Sequence, residues 1–497
     1  MRAAPQPEAE RPVYPGITGG KFKPLNEAQM QQVYDTSLEL LETVGMGQAP
    51  PEFIQVVTDA GGTLTDTGRL LFPRAIVEGA MANAAKEWVL HGQDESKSLE
   101  LGGERVYFGT AGAAVLILDH ETQRFRESTL ADLYDLGRLF DTLDNIHFMV
   151  RQVVTRDLLD VRELDINTAF AVMMATTKPV GTSFFFPQHV GEVVSMYDMA
   201  MGGEGEFEKR PFVIANNTFV VPPLRFAEDS AACMVEQVRH GMPINLLSAG
   251  QAGATSPAAL AGSLAQALAE CLSALTCVNL MRPGHPCIMG LWPFVSDLRT
   301  GAMTGGSGEE AVLNAAAAQI TNWLGLPSGV AAGMADSKIP DAQAGYEKGV
   351  TLTLAGQAGA NMIFESAGML GSLLACSPEM MVIDNDLLGS VNRTIRGIEV
   401  NEQTLSSQVI KDVVNGPQHF LGESQTLEIM QTEYTYPLVG DRLSPDDWID
   451  EGAKDVKERA HEYVTTTLAT HYPTHVDVAV EARIRDAYPI RLQEIPR

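Results

Sequence analysis

The sequence predicts a closed (β/α)8 barrel carrying extra helices at both ends. Three observations lead there. A short β-branched or aromatic run followed by an amphipathic helix recurs eight times between residues 105 and 397. Strand-like runs such as VGTSFFF and CIMGLW are apolar on both faces, which suits parallel strands buried on both sides. Charged and aromatic residues collect just past those runs, where an α/β barrel keeps its reacting groups. An open doubly wound sheet usually shows GxGxxG after its first strand, and Gly109-Thr-Ala-Gly112 does not match that pattern.

Taken in order, residues 1–24 read as an extended, partly mobile arm. Asn26 then opens NEAQMQQVYDTSLELLETVG. There Met30, Val33, Tyr34, Leu38 and Leu41 recur at helical spacing, and Gly45 stops the helix. Further helices are expected near 51–60 and 73–86, each with Pro at its start. Residues 1–104 therefore form a helical lead-in outside the main body. The barrel strands are expected at 106–109, 148–154, 180–186, 212–219, 244–248, 287–292, 329–334 and 361–365. Helices are expected at 129–144, 165–177, 190–201, 227–240, 257–281, 309–324, 341–358 and 378–396. The first sets Leu130, Leu133, Leu136, Phe140 and Leu143 on one face. The Ala/Leu-rich run 257–281 contains Gln266, Glu270 and Asn279, so it reads as a buried helix and not a membrane span. Residues 398–497 form a helical tail, broken at Gly416-Pro417 and continued by a helix over 446–469. With the lead-in it is expected to cap one end of the barrel.

The composition excludes several functions. Among 497 residues, 45% are hydrophobic and 20% charged, so a large core is available and disorder is not expected. A formal net charge of −28 argues against nucleic acid and anionic membrane, which both need basic patches. It suits a soluble cytoplasmic enzyme. Cys233, Cys271, Cys277, Cys287 and Cys376 include no CxxC pair and sit mostly in apolar segments, so they read as buried free thiols. A zinc site would have to build on His285-Pro-Cys287, the one close pair; no metal is expected. The N-terminus lacks the apolar stretch of a secretory signal.

The stretch AAGMADSKIPDAQA, residues 331–344, gathers Asp336, Ser337, Lys338 and Asp341 where a strand passes into a helix. The simpler account is that Asp341 or Ser337 caps that helix. Other strand ends supply Thr110, Phe184-Phe185-Phe186 with His189 beyond, Asn216 and Asn217, then Ser248 and Gln251. The last three strands supply Trp292, Phe294, Asp297 and Arg299, then Asp336 and Lys338, then Phe364 and Glu365. Aromatic faces with a few carboxylates are what a quaternary ammonium needs, because it donates no hydrogen bond. Trp292 is the strongest single candidate; plain barrel packing is the competing reading for Phe184–Phe186, Trp292 and Phe364. No GxSxG, P-loop or HExxH occurs. Lys338 is a candidate Schiff-base lysine if desolvated, although Asp336 and Asp341 would keep it protonated.

The runs GMADSKIPDAQAGYEK, LAGQAGANMIFESAGMLGSLLACSPEMMVIDNDLLG and RGIEVNEQTL resemble the trimethylamine methyltransferase family, which includes glycine betaine:corrinoid-protein methyltransferases. The likeness reaches from the N-terminal helices to near Tyr472 and is densest over 305–419. It implies a (β/α)8 barrel that moves a methyl group from a methylated amine to the cobalt of a separate corrinoid protein. The cobalamin is then carried by that partner and not held tightly by this chain. Only the twenty standard residues occur, so the chain resembles the branch without pyrrolysine, whose members favour quaternary amines such as glycine betaine. Within this frame the expected substrate-binding residues are Trp292, Phe294, Phe185, Phe364 and His189, with Asp297 and with Arg299 on a betaine carboxylate. Asp336, Lys338 and Glu365 are the expected catalytic set. A homo-oligomer is expected from family habit. Two other readings stand beside this one: a Schiff-base lyase using Lys338, and a non-catalytic betaine-binding barrel.

Overall fold

A ring of eight parallel strands lies at the centre of the computed structural model, which describes residue 11 and residues 13–494. The strands are β1 (Arg105–Thr110), β2 (residues 148–149), β3 (Val180–Thr182), β4 (Val213–Ala215), β5 (Ile244–Ser248), β6 (Cys287–Leu291), β7 (Ser328–Ala331) and β8 (Met362–Ala367). Each pairs with the next, and Met362 and Ile363 of β8 pair back onto Tyr107 and Phe108 of β1, which closes the ring. A closed ring leaves no unpaired edge. The sequence-predicted strands lie where expected, but β2, β3, β4 and β7 end early. Past Thr182 the Asn217 side chain takes both the Phe184 N–H and the Phe184 carbonyl. The ladder there is replaced by a side-chain staple between neighbouring strand ends.

Eight helices alternate with the strands. They are α1 (Leu130–Asp141), α2 (Val161–Ala175), α3 (Gln188–Met201), α4 (Glu228–Arg239), α5 (Leu260–Met281), α6 (Gly308–Trp323), α7 (Ala342–Ala358) and α8 (Pro378–Arg396). Most of their starts follow capping chemistry. Thr129 and Asp132 make a reciprocal capping box, and Asp160, Ser307 and Ser377 cap α2, α6 and α8. Asp341 caps α7 by accepting from the Ala344 N–H at 2.9 Å, and the Ser337 hydroxyl donates to Asp341 at 2.8 Å.

The lead-in covers α5. Its helices Glu27–Thr43, Pro51–Asp59 and Arg74–Asn83 lie on the outer face of α5, and the Ser37 hydroxyl donates to the Ala265 carbonyl at 2.9 Å. This explains why α5 is apolar all round: it is long and apolar enough to cross a bilayer, yet it is buried inside the protein. Residues 1–10 of the expected arm lie outside the described residues; Ile17–Thr18 adds an antiparallel strand to the start of β1.

The tail runs over the barrel's outer layer. Helix Val456–Thr470 packs on α8 and α1, where Arg138 donates to the Leu468 and His471 carbonyls. The helix expected over 446–469 is two helices, Pro445–Asp450 and Val456–Thr470. Gly452 turns left-handed between them at φ +97°, and Asp455 begins a new capping box. Inside the ring, Phe364 of β8 meets Phe148 of β2 at 5.0 Å between centroids and Trp292, just past β6, at 5.1 Å. These three rings plug the barrel beneath its C-terminal mouth.

Candidate active site

Above that plug lies a cavity of about 470 Å³, walled by the ends of seven of the eight strands. Trp292 and Phe294 come from β6, Phe184 and Phe185 from β3, Glu365 from β8 and Arg151 from β2. Trp292 is 5% exposed and Phe185 45%, so the aromatic lining runs from the plug to the rim. The two β6 rings sit 6.3 Å apart.

Glu365 owes its aim to an irregular strand. The β8–β1 ladder shifts register between Ile363 and Ala367, and Glu365 adopts a left-handed φ of +65°. A non-glycine residue held there stores roughly 1–3 kcal/mol, a sign of a functional constraint. The bend turns the carboxyl into the mouth, where it accepts from the Gly112 N–H at 2.8 Å. A Cβ on Gly112 would lie 2.7 Å from the same carboxyl, so a side chain there would push the carboxyl out of its place. Burial pushes Glu365 up to about 8; the Gly112 hydrogen bond and the Lys348 charge oppose that shift. At neutral pH the group is mostly a neutral acid poised to ionise.

Two strands round the ring from Glu365, the half-buried Arg151 lines the cavity, and its Nε and Nη1 are shut off from solvent. Burial lowers its proton affinity and the Asp165 charge raises it. Asp165 accepts from His189 Nδ1 at 2.6 Å and from the Phe185 N–H at 3.0 Å, both through Oδ2, while its Oδ1 is buried and makes no hydrogen bond. His189 thus stands behind the wall, orienting the Phe185 loop through Asp165, and does not line the cavity. Phe364 likewise lies beneath the cavity, in the plug.

Four of the sequence-predicted site residues lie elsewhere. Asp297, Arg299, Asp336 and Lys338 line a separate cleft of about 770 Å³ between the β6 and β7 loops. Arg299 is 88% exposed and forks onto Asp297, at 2.7 and 3.0 Å, which holds that carboxyl down at about 2. An arginine so placed does not reach a ligand in the mouth, which corrects the expected carboxylate contact. Asp336 is a loop tie, accepting from Thr304, Ser372 and the Gly305 N–H. Lys338 is exposed and donates to its neighbour's carbonyl at 2.6 Å, so the desolvation a Schiff-base lysine needs is absent.

The buried lysine is Lys348 of α7. It pairs with Asp384 of α8 at 3.0 Å, both fully buried, and donates to the Gly333 carbonyl at 2.5 Å. Burial pushes Asp384 up to about 6 against the pull of Lys348. No sequence signal marked this pair, since a lysine in AQAGYEKGV reads as solvated. Arg151 was hidden in the same way, inside a run that reads as strand. A larger cavity of about 790 Å³ opens at the other end of the barrel beside His147 and Lys178. Lys178 there is saturated by the Phe140, Leu143 and Ile146 carbonyls, and that face of a barrel serves stability, not chemistry. Among the described residues no group of three or more His, Cys, Asp or Glu is arranged to hold a metal ion, and all five cysteines are buried and free.

Comparison with known proteins gives a consistent picture. The trimethylamine methyltransferase (MTTB) family model matches residues 1–496. The chain is 30% identical over 470 residues to trimethylamine methyltransferase MttB of Desulfitobacterium hafniense, covering 94% of each. It is 28% identical over 477 residues to a glycine betaine methyltransferase of the same species, covering 96% of this chain and 98% of that one. The monomethylamine methyltransferase MtmB of Methanosarcina barkeri shares the fold, with a TM-score of 0.50 at 12% identity over 90% of this chain and 88% of that one.

Proposed function

We propose that this chain, which belongs to the trimethylamine methyltransferase family, takes a methyl group from a quaternary methylated amine and delivers it to the Co(I) of a separate corrinoid protein. The observation that carries this reading is the convergence of Trp292, Phe294, Phe185 and Glu365 on one cavity at the C-terminal mouth. Rings hold a cation by their π faces, and a carboxylate balances it without a hydrogen bond. The wall offers no activated serine, cysteine or lysine for covalent catalysis, which sets aside the Schiff-base reading.

The chemistry asks little else of the protein. A quaternary nitrogen is already a leaving group. The carbon–nitrogen bond breaks with its electron pair staying on nitrogen, and the methyl carbon takes a pair from the Co(I) acceptor. No proton moves, so no general acid is required. The barrel's part is to fix the cation against Trp292 and point one methyl outward in line with an acceptor docked over the mouth. Such alignment supplies several kcal/mol of the barrier. Ionised Glu365 strengthens the hold on the onium.

The test is methyl-cobalamin formation from Co(I) cobalamin with a panel of methylated amines. Activity is expected with at least one quaternary amine, and Trp292→Ala should weaken its binding by about 10-fold or more. No turnover with any member, despite binding, would leave the non-catalytic betaine-binding reading in place instead.

A further inference from the structure

We infer that residues 398–430 form an arm through which two copies of this chain associate, at the end of the barrel away from the mouth.

The first observation is how this segment is held. It leaves the last turn of α8 at Gly397 and returns to that same turn, where Arg393 and Arg396 both pair with Glu433, at 3.0 and 2.7 Å. The residues between project from the body as a loop tied at its base. Two short helices lie in it, Ser407–Asn415 and Ser424–Ile429. The arm is braced from within: the Gln425 amide donates to the Gln403 carbonyl at 3.2 Å, and the Gln418 N–H donates to the Val413 carbonyl at 2.9 Å. Among the described residues of the arm, Val413 alone is buried.

The second observation is what the arm shows to water. Ile398, Val400, Leu405, Val414, Leu421 and Leu427 are each between 62% and 88% exposed. With Ile410 and Phe420 they present roughly 1,000 Å² of largely apolar surface, above the ~800 Å² per partner that a stable protein–protein contact buries. A monomer rarely leaves so much uncovered. Helix Ser407–Asn415 concentrates the effect. Val409, Ile410, Val413 and Val414 recur on one stripe, of which Val413 turns inward while Ile410 and Val414 stay bare.

Three facts make a second copy the cover. Placement comes first. α8 runs back from the mouth, and Met430 and Tyr434 at the base of the arm line the cavity at the far end, beside His147 and Lys178. An acceptor docked over the mouth does not reach there. The second fact is charge: the arm holds Lys411 as its one basic residue against five acids, so an anionic membrane repels it. The third is that Lys411 and Asp412 are the only charges on helix Ser407–Asn415, and they cancel. Two copies can therefore meet along it despite a net charge of −28 each, in the isologous way that sets one apolar patch against itself. Pairing at that end leaves both mouths open.

The experiment is sedimentation equilibrium of the full chain at micromolar concentrations. The wild type is expected to be a dimer, or a closed assembly built on that dimer. Val414→Asp combined with Leu421→Asp should weaken association by about 100-fold or more. Both side chains already face water in a single copy, so the far-UV circular dichroism should not change. Crosslinking covers the case in which this double variant fails to fold. All five native cysteines are buried, so a bismaleimide reaches only an introduced thiol. Val414→Cys should give a crosslinked dimer, and Leu159→Cys, 92% exposed on the mouth side, should not. A wild type that stays monomeric overturns the inference, and so does a dimer that both arm substitutions leave intact. Crosslinking at Leu159→Cys in place of Val414→Cys would move the contact to the mouth and overturn it too. A monomer whose arm instead binds phosphatidylcholine vesicles or a corrinoid protein assigns the arm another occupant, with the same consequence.

Discussion

Replacing Glu365 by glutamine tests how the carboxyl's buried setting is used. Glutamine preserves shape, and its amide oxygen can still accept from the Gly112 N–H, now at 2.8 Å from the carboxyl. The wild-type group has an ordinary value of 4.5 and sits at about 8 in the folded protein because of burial. Between those two values the folded chain holds a proton that the unfolded chain has released. Stability therefore falls as pH rises from 4.5 towards 8, and is flat on either side. At about 1.4 kcal/mol per tenfold change in proton affinity, the full span is worth ~5 kcal/mol, an upper bound because the cavity admits water. Glu365→Gln should thus match the wild type at pH 4.5 and exceed it by roughly 2–4 kcal/mol at pH 8.5. The same ionisation governs binding. An onium favours the carboxylate, so wild-type affinity should rise as pH climbs through about 8, with a proton released on binding. The variant should lose that dependence and bind more weakly at pH 8.5 by about 10-fold, the worth of one close opposite charge in a partly wet site. Urea melts and calorimetry in buffers of different ionisation enthalpy read both effects. A stability gain that does not grow with pH, or a pH-dependent affinity that survives in Glu365→Gln, would refute the argument.

Three further outcomes follow from the geometry. Gly112→Ala places a methyl 2.7 Å from the Glu365 carboxyl; the acid must swing away, so kcat/KM should fall with a stability cost of about 1–3 kcal/mol, seen by kinetics and thermal melts together. Lys348→Met strands Asp384, which then keeps only its hydrogen bond from the Gly368 N–H at 2.7 Å. Urea melts should show a loss of about 3–5 kcal/mol at pH 8 and less at pH 5, where Asp384, already raised to about 6, takes up a proton instead. Arg299→Ala combined with Lys338→Met removes two exposed charges outside the mouth. Stability should stay within about 0.5 kcal/mol, and titration should show donor affinity unchanged.

The alternation of apolar runs with amphipathic helices was sufficient to place eight strands and eight helices in order, because periodicity is a local property of the chain. It also pointed to Trp292, Phe294, Phe185 and Glu365, each near a strand end where a barrel opens. Distance along the chain could not say which polar residues at those ends turn inward. Asp297 and Arg299 satisfy each other two residues apart and stay outside, while Asp336 ties three loop groups together. Arg151 looks like one more residue of a strand until closure of the ring sets β2 opposite β6 and places it on the wall of the same cavity as Trp292. Lys348 reads as a solvated helix residue until α8 brings Asp384 against it. Local spacing determines which element a residue belongs to. Whether its charge meets solvent, a partner or an open cavity depends on contacts between segments far apart in sequence, and only the folded ring decides those.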